Sequence, residues 1–465
     1  MYEYLHLMKS EVMVLLIIFT LLFIKLGKGI GNDTLLSIIQ LLLLVNVVIS
    51  FGFNDTGRIF NGMFLHNELA GFQKGILSLA VYIISLVCAD WMKQTEHMSE
   101  VFMLMLSALL GMYFLISSDN LLMFYLSLEL SSIPVAAMAN FDLERRKSSE
   151  AAMKMIMSSA LASGIMLFGI SIIYGLTGSL DFSQIWGNVK AEPIYIMAFV
   201  FFFSAFAFKL SVVPFHLWTA DVYQGSPVPV TAFLSVVSKG AVTFALINVL
   251  GKLFVNLSAA WYGLVVALSV ITMLVGNFFA LRQDNLLRFL AFSSIAQVGF
   301  ILVGVSGQGA QSSTSATYFI LVYVFSNLAA FGVASVLRSN AGIENISQVR
   351  GLYKSSPVLA WVLALGLFSL AGIPPVAGFF GKLFLLMSGA SKGNYIFLGI
   401  AALNMIVSLY YYLRVVRLVF SAPEAEVVGR TEISRPVLFG LTICSMGIVF
   451  AGVVSWLYDH ICSLV

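Results

Sequence analysis

Four ionisable side chains lie where the surrounding sequence is almost wholly apolar. Glu129 sits in LLMFYLSLELSSIPVAAM, Lys209 in FFFSAFAFKLSVVPFHLW, Lys239 in FLSVVSKGAVTFALI and Lys382 in GIPPVAGFFGKLFLL. A charge carried to the middle of a lipid bilayer costs at least ~2.5–3.5 kcal/mol. Such groups persist by facing the protein interior, by pairing, or by lining a wet path. A desolvated lysine gives up its proton easily, and a carboxylate beside it restores the charge. One acid and three lysines in series can therefore load, pass and release protons. The competing reading is a set of static ion pairs that lock helices together, and a lone lysine near a helix end can also snorkel to the surface. Of the 22 acidic residues, only Glu129 is expected near mid-span, about ten residues and roughly 15 Å from its helix start.

Other chemistries lack their residues. The three cysteines, Cys88, Cys444 and Cys462, form no CxxC pair and cannot make a four-thiolate iron–sulfur site. The five histidines, His6, His66, His97, His216 and His460, show no zinc-type spacing. No GxGxxG follows a strand, and no GxxxxGK[ST] occurs. The chain is therefore expected to hold no cofactor and no metal of its own. Of its 465 residues, 60% are hydrophobic and 10% charged, against ~25% charged in an ordinary soluble domain. That balance excludes a soluble enzyme and a disordered chain, and makes lipid the main solvent. The net charge of +3 is too small to imply a nucleic-acid partner.

The elements that must position the four groups are membrane spans. A span needs about 20 mainly apolar residues, and about fourteen such runs are expected: roughly 8–27, 34–51, 71–92, 99–117, 119–139, 150–176, 193–218, 229–254, 259–280, 286–305, 314–338, 357–389, 393–420 and 436–458. The first run resembles a signal peptide in length but lacks a basic leader and a clear cleavage site, so it is read as helix 1. With alternating loops, sixteen lysines and arginines fall on one side of the membrane and six on the other, leaving the three central lysines. The richer side is expected to be cytoplasmic. An even number of spans then puts both termini on the non-cytoplasmic side.

Two runs carry breaks beside a central lysine. In run 7, Pro214 follows Lys209; in run 12, Gly372, Pro374, Pro375 and Gly378 precede Lys382. Proline removes a helix hydrogen bond, and interrupted helices at corresponding positions mark ion sites in transporters with internal repeats. Runs 7 and 12 are five apart. Five is odd, so a five-helix repeat must be inverted across the membrane. The expected fold is an all-α polytopic membrane protein of about 14 transmembrane helices. Two inverted five-helix repeats, helices 4–8 and 9–13, contain broken helices 7 and 12. The expected divisions are 1–98 (helices 1–3), 99–258 (first unit), 259–420 (second unit) and 421–465 (helix 14). No residue-level identity between the halves is evident, so the repeat rests on span arithmetic and break position.

The segment KLSVVPFHLWTADVYQGSPVPVTAFLSVVSKGA resembles the central part of the antiporter-like membrane subunits of respiratory complex I, the NADH–quinone oxidoreductase. DNLLRFLAFSSIAQVGFILVG and GLFSLAGIPPVAGFFGKLFLL resemble two further segments of that family. The resemblance covers about residues 99–420. Within the family it points to members with lysine at position 382, no histidine in YFILVYVFSNLAAFGVASVL, and no long lateral helix after helix 14.

The resemblance implies roles. Glu129 and Lys209 are similar to the family's Glu–Lys pair, in which the acid tunes the lysine. Lys239 is similar to its connecting lysine and Lys382 to its exit-side lysine. Gln297, in SSIAQVGF, departs from the pattern, because many members carry histidine there. Glutamine cannot titrate, so transfer past it needs water or a turnover of hydrogen bonds. Weaker readings attach to His216 (proton entry, or a structural histidine), to Asp221 (orienting the helix 7–8 connection) and to Lys154 (facing a neighbouring subunit, or snorkelling). Ser238, Ser293 and Ser294 are candidates for hydrating the path.

The expected activity is proton translocation through this relay, as a subunit of a translocase in the bacterial inner (cell) membrane. The redox chemistry belongs to partner subunits holding NADH, FMN, iron–sulfur clusters and quinone. The expected partners are other membrane subunits of the complex, including neighbouring antiporter-like and small membrane subunits, and the lipid bilayer. The alternatives are a subunit of a multisubunit cation/proton antiporter, which shares the lysine and glutamate positions, and a scaffold whose buried charges are structural only.

Overall fold

An apolar run surrounded by lipid must satisfy every backbone N–H and C=O within itself, so each becomes a helix. The computed structural model describes residues 6–27, 30–52, 55–142, 145–422 and 433–465. Lys28 and Arg430, which enter the orientation tally, lie outside the described residues. The spans are α1 Lys9–Leu26, α2 Asn32–Gly52, α3 Glu68–Val87, α4 Met98–Ser117, α5 Leu121–Met138, α6 Arg146–Thr177 and α7a Pro193–Leu210. Helix α7 resumes as α7b, Leu217–Gly225. There follow α8 Val228–Lys252, α9 Val255–Leu281, α10 Leu286–Ser306, α11 Gly309–Ala341, α12a Pro357–Ala371, α12b Ala377–Ala390, α13 Tyr395–Phe420 and α14 Arg435–Val453.

Among the described residues, twelve helices are long and apolar enough to cross a membrane. Two more of the fourteen expected positions are occupied by α1, whose 18 residues include Lys9, Glu11 and Lys25, and by the two short halves of α12. The helices form an inner group and an outer ring. Helices α3, α8, α10 and α11 are each 94% buried over their apolar window, whereas α2, α13 and α14 are 33% buried. The ring's outward side chains, such as Leu16, Leu126, Leu161 and Ile406, are aliphatic and exposed, as lipid contact requires. Lys239 stands on an inner helix.

A short hairpin, β1 (Gly57–Ile59) and β2 (Phe64–His66), folds back before α3, pairing Gly57 with His66. It sets His66 against the start of the inner helix, whose first turn is capped by Asn67 accepting from Ala70 N at 2.8 Å.

The two halves do share a residue-level signature. DNLLMF at 119–124 and DNLLRF at 284–289 open α5 and α10. Asn120 caps the first through Leu122 N at 2.8 Å, and Asn285 caps the second through Leu287 N and Arg288 N at 3.1 Å. Each segment then bridges to chain about sixty residues downstream. Leu121 N donates to Leu180 O at 2.8 Å and Phe182 N to Asp119 O at 3.1 Å. In the second half, Leu286 N donates to Glu344 O at 2.8 Å and Ile346 N to Asp284 O at 2.7 Å.

Ion pairs near the helix ends join charges that the alternating loops put on the same side. Lys93 meets Asp33 at 2.6 Å, Arg145 meets Glu344 at 3.1 Å, and Lys25 meets Glu100 on the lysine-rich side. On the other side Arg58 and Lys252 meet Asp119 at 3.1 and 3.2 Å.

Candidate functional site

Lys209 lies in the last turn of α7a. The break begins at Ser211, which adopts the left-handed conformation at φ 65°. The carbonyls freed there find partners inside the break. Trp218 Nε1 donates to Phe208 O at 3.1 Å, and Val212 N to Ala207 O at 2.8 Å. The Lys209 side chain is 7% exposed and crosses to α5. Its Nζ donates to Ser131 Oγ at 2.7 Å and to Leu128 O at 3.1 Å.

Glu129 is next to Leu128 in sequence but is not within ion-pair distance of Lys209. Successive helical residues are ~100° apart around the axis. Leu128 and Ser131 are buried toward α7a, while Glu129 is half-buried beside the exposed Leu126, Leu130 and Ile133. Its Oε1 is shielded from solvent and has no hydrogen-bond partner. Glu129 and Lys209 are therefore on neighbouring helices without a direct contact, and the carboxylate lies at the edge of the chain.

Lys239 and Lys382 are each 1% exposed. Lys239 follows a π-helical turn, Leu234–Ser238, a local widening often found at functional positions. Its Nζ donates to Ser294 Oγ on α10 at 2.8 Å and lies 5.8 Å from the centre of the Tyr223 ring. On the next residue, Ser293 Oγ hydrogen-bonds Tyr412 OH of α13. Gln297 Nε2 then donates both to Tyr412 OH at 3.1 Å and to Leu370 O at 2.9 Å. Leu370 O also accepts Lys382 Nζ at 2.7 Å, and Ala371 O lies 3.3 Å from the same ammonium.

The second break makes this possible. Helix α12a ends at Gly372, φ 85°, leaving its last carbonyls without helical partners. A side chain at Gly378 has no room, because a Cβ there would stand 1.7 Å from Ser369 O. The close approach brings α12b, and with it Lys382, back over those carbonyls.

Between the two lysine groups there is a gap. Among the described residues no hydrogen bond or ion pair joins the Lys209 set to the Lys239 set. Of the secondary candidates, the structure unites Lys154 and Asp221, at 2.6 Å, and adds Arg288 to Asp221 at 2.6 Å. Lys154 also pairs with Glu150 at 2.7 Å. His216 caps α7b inside the break, with its Nδ1 buried and unpartnered. Ser294 and Ser293 take part in the lysine network, and Ser238 ends the π turn.

Sequence reasoning missed two features. Tyr412 lies in YYYLR, where nothing distinguishes it from its neighbours. Glu11 and Lys74, both near helix ends, form a fully buried ion pair at 2.6 Å. Their helix-end positions in sequence hide the burial supplied by the hairpin and the adjoining helices. Among the described residues no cluster of three or more His, Cys, Asp or Glu is placed to hold a metal ion.

Residues 118–408 match the family described as NADH:quinone oxidoreductase/Mrp antiporter, transmembrane. The chain is 47% identical over 414 residues to an NADH-quinone oxidoreductase subunit N from Azobacteroides pseudotrichonymphae genomovar. CFP2, covering 88% of this chain and 86% of that one. It is 44% identical over 405 residues to the subunit N from Phocaeicola vulgatus, covering 86% of each. A chain of respiratory complex I from Thermus thermophilus with bound aureothin has a similar fold, with TM-score 0.79 and 26% identity, over 96% of this chain and 98% of that one.

Proposed function

The chain belongs to the NADH:quinone oxidoreductase/Mrp antiporter membrane family, and we propose that it is the subunit-N-type proton-translocating subunit of a bacterial NADH–quinone oxidoreductase. The extent of identity to two proteins named subunit N supports this assignment over the antiporter alternative. NADH oxidation and quinone reduction take place in partner subunits that hold the flavin, iron–sulfur clusters and quinone. This chain supplies a proton path. Changes in charge and shape at its neighbours alter which protons its lysines hold. The paired DNLL segments and the two broken helices support two inverted units, 99–258 and 259–420. The charge asymmetry supports an inner-membrane orientation with both termini on the non-cytoplasmic side.

One observation carries the mechanism. Lys239 is held by Ser294, and from the adjacent Ser293, to which Ser294 is not hydrogen-bonded, bonds continue through Tyr412 and Gln297 to the carbonyl that holds Lys382. Neither the Gln297 amide nor the Leu370 carbonyl carries a proton, so a proton lost from the Lys382 ammonium is replaced through water at that point, while the Tyr412 hydroxyl can both donate and accept on the Ser293 side. Gln297 relays orientation rather than charge, because its amide donates to both neighbours but does not titrate. Glu129 acts on Lys209 through space and at the edge of the chain, where a neighbouring subunit can change its surroundings.

The test is Lys382→Met in the assembled complex, in membrane vesicles, with assembly, quinone-linked NADH oxidation and proton uptake measured together. Intact assembly with pumping and coupled turnover lost is expected. Normal pumping in an intact complex would sink the relay. Co-purification of the chain with small antiporter subunits, and without flavin- or iron–sulfur-bearing subunits, would sink the assignment to complex I.

A further inference from the structure

The buried ion pair outside the lysine series is unlike any other among the described residues. Among the described residues, Glu11 and Lys74 form the only ion pair in which both side chains are 0% exposed. Lys74 sits in the second turn of α3, and Glu11 in the first turn of α1. The ammonium has two further partners. Its Nζ lies 3.2 Å from His66 Nδ1 and 4.8 Å from the centre of the Phe64 ring.

The anion has spare capacity. Glu11 Oε2 is buried and accepts no hydrogen bond, and His66 Nε2 is likewise buried without a partner. Burial, together with the Lys74 charge, pulls the His66 imidazole down to about 3. The ring is therefore neutral at ordinary pH and offers Nδ1 as an acceptor.

The surroundings are one-sided. Asp55, half exposed, pairs with His6 at 3.3 Å and Lys9 at 3.6 Å at the surface next to this site. The Lys9 and Asp55 charges both act on His66. Inward, the polar groups are hydroxyls and one amide: Ser10 with Ser50 at 3.1 Å, Ser50 with Ser78 at 3.1 Å, Ser78 with Tyr113, and Asn46 Nδ2 to Tyr113 OH at 3.3 Å. That cluster ends at Tyr113 and Asn46, and among the described residues no hydrogen bond joins it to the Lys239 or Lys209 sets.

We propose that Glu11, Lys74 and His66 form a buried site for one exchangeable proton, separate from the lysine series and open to the face that carries Lys9 and Asp55. Loading adds a proton to Glu11 Oε2. The carboxyl becomes neutral, and Lys74 remains an ammonium held by the His66 Nδ1 lone pair and the face of Phe64. Unloading returns that proton from Oε2 to the same face and restores the ion pair. Nothing else is consumed or formed. The site stores a positive charge within the first three helices without opening a second path across the chain. The Glu11–Lys74 distance alone fits a rigid strut equally well; the separate partners waiting for the ammonium favour a site with two states.

The test uses the intact membrane complex containing this chain. A lipophilic carbodiimide reacts with a carboxyl in its protonated form, and peptide mass spectrometry reads the adduct at Glu11. The expected adduct forms in the unaltered complex, rises as pH falls, and is absent from Glu11→Gln. In Lys74→Met the acid loses its cation and should label across the pH range, which also shows that the reagent arrives. His66→Leu removes the acceptor that holds the ammonium in the loaded state, so labelling of Glu11 should fall several-fold with assembly intact. Labelling in Lys74→Met but at no pH in the unaltered complex would mean a permanently ionised strut. Absence of label from an assembled Lys74→Met complex would overturn the open face. Labelling unchanged by His66→Leu would remove His66 from the site. If Lys74→Met does not assemble, the unaltered complex decides alone: a pH-dependent adduct supports the site, and none overturns it.

Discussion

Each helix break holds one lysine, and the two are anchored in opposite ways. Lys209 precedes its break and reaches across to α5, to a serine hydroxyl and a carbonyl. The carbonyl freed by that break, Phe208 O, is closed by the indole of Trp218. Lys382 follows its break and reaches back to the carbonyls of its own helix, Leu370 O and Ala371 O. No indole closes them, and Gln297 joins Lys382 on Leu370 O. The negative end of the α12a dipole also favours an ammonium there. The two breaks therefore differ in whether the freed carbonyls are closed by an indole or left to side-chain donors that can exchange. In the second half they are, and the hydrogen bonds continue to Ser293, next in sequence to the serine that holds Lys239. In the first half the lysine depends on a neighbouring helix and the connection stops.

The largest expected effect comes from cutting the Lys239–Lys382 line at its Lys239 end. Lys239→Met should reduce pumping and coupled turnover by ~10²-fold, the lower end of what a positioned proton-transfer group contributes, with assembly retained. Lys209→Met should also cut pumping, through loss of the group that Glu129 tunes. The comparison predicts that residual turnover is higher in Lys209→Met, because the hydrogen-bonded line to Lys382 survives. Equal and complete loss in both, measured as proton uptake per NADH oxidised, would show that the gap between the Lys209 and Lys239 sets is closed in the working complex.

Tyr412→Phe comes next. It removes one hydroxyl that serves both Ser293 and Gln297 and keeps the ring, so packing against Phe289 and Tyr411 is retained. Coupled turnover should fall by about tenfold, equivalent to ~1.4 kcal/mol, with assembly unaffected. Turnover equal to that of the unaltered complex would mean that protons bypass the tyrosine and that the continuity seen in the second half is incidental.

These predictions rest on features of unequal legibility. The spans and both breaks were readable, because about twenty apolar residues and a Pro–Gly cluster impose themselves locally. The burial of Lys209, Lys239 and Lys382 was readable for the same reason. Tyr412 was not. In YYYLR the three tyrosines look alike, but ~100° per residue sends Tyr410 out to 66% exposure while Tyr411 and Tyr412 are fully buried. The Glu11–Lys74 pair was hidden because both residues lie near helix ends, where a charge ordinarily reaches water. Only the fold of the hairpin over α3 removes it. The DNLL segments are visible in the sequence, but their partners are sixty residues away and only the backbone bridges give them meaning. The separation of Glu129 from Lys209 was not readable either, because family position gives the residue and not the face of the helix turned toward its partner.

Ser131→Ala sharpens the first half with a smaller effect. Lys209 keeps Leu128 O at 3.1 Å and loses a 2.7 Å bond to the hydroxyl. A hydrogen bond to a charged group is worth about 1.5–3 kcal/mol, but a buried lysine that loses one acceptor can respond by holding its proton less often. Pumping should fall a few-fold. An effect as large as that of Lys209→Met, read in the same proton-uptake assay, would make Ser131 a proton-carrying group rather than an anchor, and the first half would then resemble the second.

Gln297→His is expected to be nearly silent at high pH and is the sharpest probe of how the second half works. The amide at this point bridges Tyr412 OH and Leu370 O, and a neutral imidazole can make one of those bonds as donor and keep the other nitrogen as acceptor. At pH well above ~6.5, the ordinary histidine value, turnover should match the unaltered complex. As pH falls, the ring is drawn toward its charged form, but Lys382 shares the Leu370 carbonyl with it. Two cations on one acceptor repel, so either Lys382 gives up its proton or the histidine stays neutral. In the first case turnover drops on the acid side, with an inflection absent from the unaltered complex. In the second the profile is unchanged, and Lys382 holds its charge more tightly than any group it relays to. A pH series of proton uptake per NADH oxidised separates the two. Loss of activity at every pH would contradict both, because it would mean that the amide itself, with its fixed pair of donors, is what keeps the line from Tyr412 to Lys382 in register.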